Sequence, residues 1–204
     1  MANVNKPTGL SPVRYLNGAP WTGGGNIYSI AYNYNTALYI GDPVISSGTA
    51  DTNGVAGIAL AAATGAIRGV IVGIGRSESL LANPSNLTVN YYPANGDGVN
   101  SPWYALVVDD PNVIFEVQEH SNGTALAATE VGLNQVLYLA AGNGFVSGWM
   151  LASYSDATPA STNTLQVRLL GLARRSDNAF GAYAKWLVQL NVHELSHGLG
   201  ASGV

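Results

Sequence analysis

Trp186-Leu187-Val188-Gln189-Leu190-Asn191-Val192, followed at once by His193-Glu194-Leu195-Ser196-His197, is the stretch on which the fold turns. Read as a helix, its second half matches the H-E-x-x-H pattern, in which two histidines on one helical face hold zinc and the glutamate serves as general base on the bound water. Read as a strand, Trp186, Val188, Leu190 and Val192 share one face while Gln189, Asn191 and His193 share the other. The alternation is unbroken and includes two β-branched valines, which suit a pleated sheet. We read the segment Lys185–His193 as a strand that carries the motif by chance.

Two further features oppose a zinc centre. A catalytic zinc takes three protein ligands, yet no His, Asp or Glu occurs from Gly198 to Val204, and His120 is the only other histidine. The motif also comes at the close of the sequence, with little chain after it to wall off a substrate cleft. A strand would still set His193 and His197 on the same side, where the pair is able to collect an ion incidentally. The expectation is therefore no enzyme, no metal and no cofactor, with a zinc peptidase using His193, Glu194 and His197 as the remote alternative.

Outward from this ribbon the chain reads as mainly β. In Val113–Glu119, Val113, Phe115 and Val117 face one way and Glu116 and Gln118 the other; in Thr164–Ala173, Leu165, Val167 and Leu169 alternate with Gln166 and Arg168. Further strands are expected at Ile27–Tyr32, Leu38–Ile45, Ala66–Gly73, Leu87–Tyr92, Trp103–Asp109 and Gln135–Leu139. Turn signals such as Asp42-Pro43, Asn53-Gly54, Asp110-Pro111 and Asn143-Gly144 separate them. Only short helical segments are expected, near Ala125–Leu133 and Asn178–Ala184. Short strands at intervals of roughly 8–12 residues point to a jelly roll, a β-barrel or a sandwich.

The first 25 residues differ from the rest. Lys6-Pro7, Ser11-Pro12, Ala19-Pro20 and Gly23-Gly24-Gly25 discourage regular pairing and favour an extended path. We expect an extended N-terminal arm over residues 1–25 and a single β-rich domain over 26–204.

Composition narrows the function. Of 204 residues, 47% are hydrophobic and only 10% charged, so a large core is available and the surface is cheap to desolvate against a partner. Eight Lys plus Arg and a net charge of −4 leave no basic stripe for nucleic acid. No stretch reaches the ~18 apolar residues of a membrane span, and no basic segment followed by an apolar run marks a secretory signal. With no cysteine, disulfides and thiolate sites are excluded.

Other constellations are thin. Gly69-Val70-Ile71-Val72-Gly73-Ile74-Gly75 is an incomplete dinucleotide loop, with Glu at position 78, and reads better as a glycine-rich buried strand. Asp109-Asp110 reads as a solvated turn, since neighbouring strand residues point to opposite faces. Eleven Tyr and four Trp suit binding surfaces, because each buries area while keeping a polar tip. A carbohydrate-binding or host-adhesion module is the alternative function they raise.

Several segments resemble structural proteins of tailed-phage heads: the opening Met1 to Pro20, Tyr39-Ile40-Gly41-Asp42-Pro43-Val44, Gly69–Gly73, Asp109-Asp110-Pro111-Asn112-Val113 through Glu119, and Trp186 to His193. The resemblance implies a decoration (cement) protein, mostly β, that sits on the outer surface of the virion capsid. It implies the major capsid protein as partner and self-association as a dimer or trimer, with no nucleic acid and no membrane. Within the expected arm, Lys6, Arg14, Tyr15 and Trp21 are the candidate capsid-binding residues.

Overall fold

In a computed structural model describing residues 3–76, 89–96, 103–196, 200 and 203, the alternating ribbons lie side by side. Strand β9 (Val113–Gln118) pairs antiparallel with β14 (Lys185–Leu190), setting Phe115 against Val188 and Val117 against Trp186. All four are buried, as period-2 apolar faces demand. On the other flank of β14 lies β13 (Val167–Leu172), which adds Val167 and Leu169 to the same buried face. The sheet is completed by β1 (Ser11–Tyr15) beside β9 and by the two-residue β10 (Asn134–Gln135) beside β13.

A second set of five strands closes on itself in the order β2-β5-β4-β6-β8. These are β2 (Asn26–Ile30), β4 (Pro43–Ala50), β5 (Ala56–Leu60), β6 (Gly69–Gly75) and β8 (Trp103–Val108). Two short strand pairs remain, β3 (Leu38–Tyr39) with β7 (Tyr91–Tyr92) and β11 (Leu137–Tyr138) with β12 (Met150–Leu151). The described residues contain no α-helix. Where short helices were expected, Ala128–Glu130 forms one 3-10 turn and residues 178–184 form turns and bends.

Strands β6 and β8 explain the apolar run at Gly69–Gly75. Val70 and Val108 pack into the core shared with the sheet, whereas Ile71 and Val107 point into the barrel interior with Ile30, Val44 and Ile58. A strand buried on both faces has no place for polar alternation. Gly69 allows the approach, since a Cβ there would stand 2.4 Å from the Val108 carbonyl oxygen.

The expected strand Leu38–Ile45 is broken in two. Gly41 takes φ 95°, a left-handed conformation that favours glycine, and the chain turns between β3 and β4. The apolar run after Val55 supplies β5, a strand the sequence did not reveal because its Ala and Gly lack a strand signature.

The architecture is mainly β, with two five-stranded sheets in a sandwich-like arrangement, and no jelly roll is seen among the described residues. The described part of the segment expected as an extended N-terminal arm lies against the body. Gly9 and Gly41 press together so closely that a Cβ on Gly9 would meet the Gly41 oxygen at 2.3 Å, and Leu10, fully buried, donates its N–H to that oxygen. Ser11–Tyr15 then joins the sheet. Prolines do not prevent this, because β1 is an edge strand whose outer side needs no full ladder.

Candidate functional site

The described part of the His-Glu motif is not helical. His193 forms a parallel bridge with Ile67, and the Glu194 N–H donates to the Ile67 carbonyl at 3.0 Å. His193 is buried, and burial first of all lowers its pKa. Its Nδ1 accepts the Leu195 N–H at 3.0 Å, so the neutral ring carries its proton on Nε2, which has no lone pair free for a metal. Glu194 faces elsewhere: its carboxylate takes the Ser46 N–H at 3.0 Å and the Ser46 hydroxyl at 2.5 Å, with Arg68 at 3.8 Å. His197 lies outside the described residues.

His120, the remaining histidine, is held by its own loop. Its Nδ1 lies 2.8 Å from Asp156, and its ring stacks on Tyr138 with centroids 3.8 Å apart. Asp156 also accepts from Asn122 and from the Ser153 N–H and hydroxyl. Burial works against its charge, but these hydrogen bonds outweigh it and bring the carboxyl down to about 2. Among the described residues, no three His, Asp or Glu side chains gather where they could hold a metal ion.

Glu194 ends a polar chain that runs across the barrel wall. Arg68 donates to the Tyr28 hydroxyl at 2.9 Å and lies over the Tyr28 ring; the Tyr28 hydroxyl donates to Asp109 at 2.5 Å, and Asn26 donates to the same carboxylate. Asp109 is thus buried and spoken for, which corrects the expectation of a solvated pair. Asp110 alone fits that expectation, exposed and capping the turn at Asn112. The chain ties β2, β8 and the C-terminal segment together, and each of these polar groups has a partner, as burial requires.

The four residues proposed for capsid contact fall on one edge of the five-stranded sheet, though not in one cluster. Lys6 is exposed beside Gln118, whose side chain accepts the Lys6 N–H, while the Lys6 carbonyl accepts from Lys185. Arg14 is exposed on β1, and Tyr15 and Trp21 are half-buried against the sheet core. Tyr15 sits opposite Val113, at the far end of β9 from Gln118. The edge itself is closed: the chain turns after Tyr15, and Trp21 returns to donate its N–H to Val13 at 3.1 Å. Pro20, paired with Arg14 across this turn, has no N–H to offer a further strand.

Sequence reading missed the apolar side chains that this edge exposes. Val13 (42% exposed) and Leu16 (47%) lie on or just past β1, whereas Val4 (68%) and Phe180 (47%) lie at the other end of the N-terminal segment, where Asn3 donates to the carbonyls of Ala179 and Ala182 in the β13–β14 turn. Beside them lies a charge cluster of Glu116, Arg175 and Asp177, with Arg175 3.0 Å from Glu116. Nothing in the sequence marks Phe180 as a neighbour of Val4. No family model matches the chain, and no curated protein or solved structure matches it.

Proposed function

We propose that this chain is a structural protein of a tailed-phage head, of the decoration or cement type, binding the outer surface of the shell of major capsid protein. It acts there as a small oligomer, a dimer or trimer, and needs no metal, cofactor, nucleic acid or membrane. A clamp that fits only the closed shell stabilises it by mass action, and many copies add their contributions.

One observation carries this reading. The N-terminal segment is already ordered on the sheet and yet leaves Val4, Val13 and Leu16 exposed, with Lys6 and Arg14 among them. Large apolar side chains beside lone cations, on a scaffold that loses little entropy on docking, are the makings of a protein contact. Because the edge is closed by Pro20 and Trp21, this contact works through side chains and not by adding a strand.

The test is binding to preassembled shells lacking the protein. Deleting residues 1–20 would strip β1 from β9, so point changes serve better. Val13→Glu and Leu16→Glu are expected to weaken shell binding by about tenfold or more while the thermal melt stays unchanged. Undiminished binding by both variants, with Val4→Asp as a third, would remove the N-terminal edge from the interface.

A further inference from the structure

The barrel closes through one residue pair only, Ser29 with Gly57, where β2 and β5 run parallel. Beside that seam lies a cavity of about 430 Å³, within the size range of small-molecule sites. Among the described residues its lining holds no Lys, Arg or His. A phosphate or carboxylate would meet the Asp51 carboxylate there, and like charges close together repel.

The polar side chains in the lining are amides and hydroxyls, among them Asn33, Asn53, Thr49 and Thr52. Each can donate and accept, which is the pattern a ligand hydroxyl needs. The one carboxylate, Asp51, already accepts from the Tyr104 hydroxyl at 2.8 Å and from the N–H groups of Asn53 and Val55. Burial opposes its charge, but these bonds hold it below the usual carboxylate range.

Aromatic surface completes the lining. Tyr32 is half exposed, and Trp103 and Tyr104 are buried behind it. The Trp103 indole N–H is buried with no acceptor among the described residues. Trp103 is otherwise firmly placed, edge-on to Tyr92 at 5.3 Å with Arg76 over its face at 5.0 Å.

We propose that this cavity binds a neutral sugar ring, the terminal unit of an uncharged glycan. The ring's apolar C–H face lies on Tyr32, and its hydroxyls exchange hydrogen bonds with Asn33, Asn53 and the threonines. This goes beyond capsid binding and uses a different part of the molecule, so either can fail without the other.

The experiment titrates the full-length chain with methyl glycosides of glucose, galactose, mannose, rhamnose and N-acetylglucosamine, and with methyl glucuronide and methyl sialoside as charged controls. The readout is the indole N–H resonance of Trp103 in a ¹⁵N-correlated spectrum. A saturable shift is expected with at least one neutral glycoside and with neither acid. Tyr32→Ala and Asn33→Ala should each weaken it by about tenfold, which is 1.4 kcal/mol, with unchanged melting. No shift from any neutral glycoside up to about 20 mM, well above a millimolar Kd, overturns the proposal. So does preference for an acid, or undiminished binding by Tyr32→Ala. Oligosaccharides ending in the bound unit form a second arm: equal affinity assigns the site to a single ring, and tighter binding extends it along the chain.

Discussion

In the five-stranded sheet, β9, β14 and β13 are joined by ladders of five residue pairs each, and the face they share is filled by Trp186, Phe115 and Val188. The barrel has ladders of the same length between β2 and β8 and between β6 and β8, but its last seam is a single pair. What the sheet achieves by apolar packing, the barrel supplements with the polar chain from Asn26 through Asp109, Tyr28 and Arg68 to Glu194. The difference teaches where stability and openness reside. The sheet is the rigid half, and the barrel keeps an opening because one of its seams is left nearly unzipped.

The largest effect should come from Trp186→Ala. Its indole is fully buried, donates to Glu119 at 2.9 Å and meets Phe180 edge-on at 5.6 Å. A loss of about 3–5 kcal/mol is expected in urea unfolding, against less than about 0.5 for Tyr32→Ala at the barrel mouth. Comparable losses from the two would erase the distinction between rigid sheet and open barrel.

Next comes the pH profile, which the buried acids set. Burial raises Glu119 to about 7, against hydrogen bonds from Leu126 and Trp186 and with repulsion from Asp156 and Glu130. From its ordinary 4.5 up to 7, the unfolded chain has released a proton that the folded chain retains. Stability should therefore fall with rising pH across that window, by about 3 kcal/mol, and level off above it. Asp42, raised by burial to about 6, adds a fall between 3.8 and 6. Denaturation midpoints measured across the range check this, and Glu119→Gln should flatten the upper part. A profile that stays level or climbs from 4.5 to 7 would show that the sheet does not bury a proton with Glu119.

A smaller effect is expected from Tyr28→Phe. The ring stays in the barrel core, but the hydroxyl that links Asp109 to Arg68 is gone. The expected cost is about 1–3 kcal/mol, read by the same urea unfolding. A neutral outcome would mean that apolar packing alone holds the barrel.

Particular elements show how far the chain could be read in advance. The ribbons expected at Lys185–His193 and Val113–Glu119 stood out because strict alternation leaves only one way to bury Trp186, Val188, Phe115 and Val117 together; the first ends at Leu190, with bends at Asn191 and Val192. The same alternation argued against a helical His-Glu motif, and His193 does sit in extended pairing with Ile67. By contrast, β1 was hidden by its proline. The candidate contact was legible only as four residue types, Lys6, Arg14, Tyr15 and Trp21, with no sign that the segment carrying Val4 would lie beside the turn that holds Phe180. The cavity at the barrel mouth was not legible at all, since Tyr32, Asp51 and Trp103 come from three separate segments.

By itself the sequence determined that the alternating segments at β9, β13 and β14 form strands and which face of each is apolar, because a two-residue period is a local property of the chain. Only the tertiary structure decided which strands became neighbours, that the last barrel seam stayed at one pair, and that Asp109 and Glu119 would leave water. Those outcomes depend on partners 83 and 67 residues away, Asn26 and Trp186. Desolvation and strand pairing are set by whatever the fold brings alongside, and no local pattern encodes it.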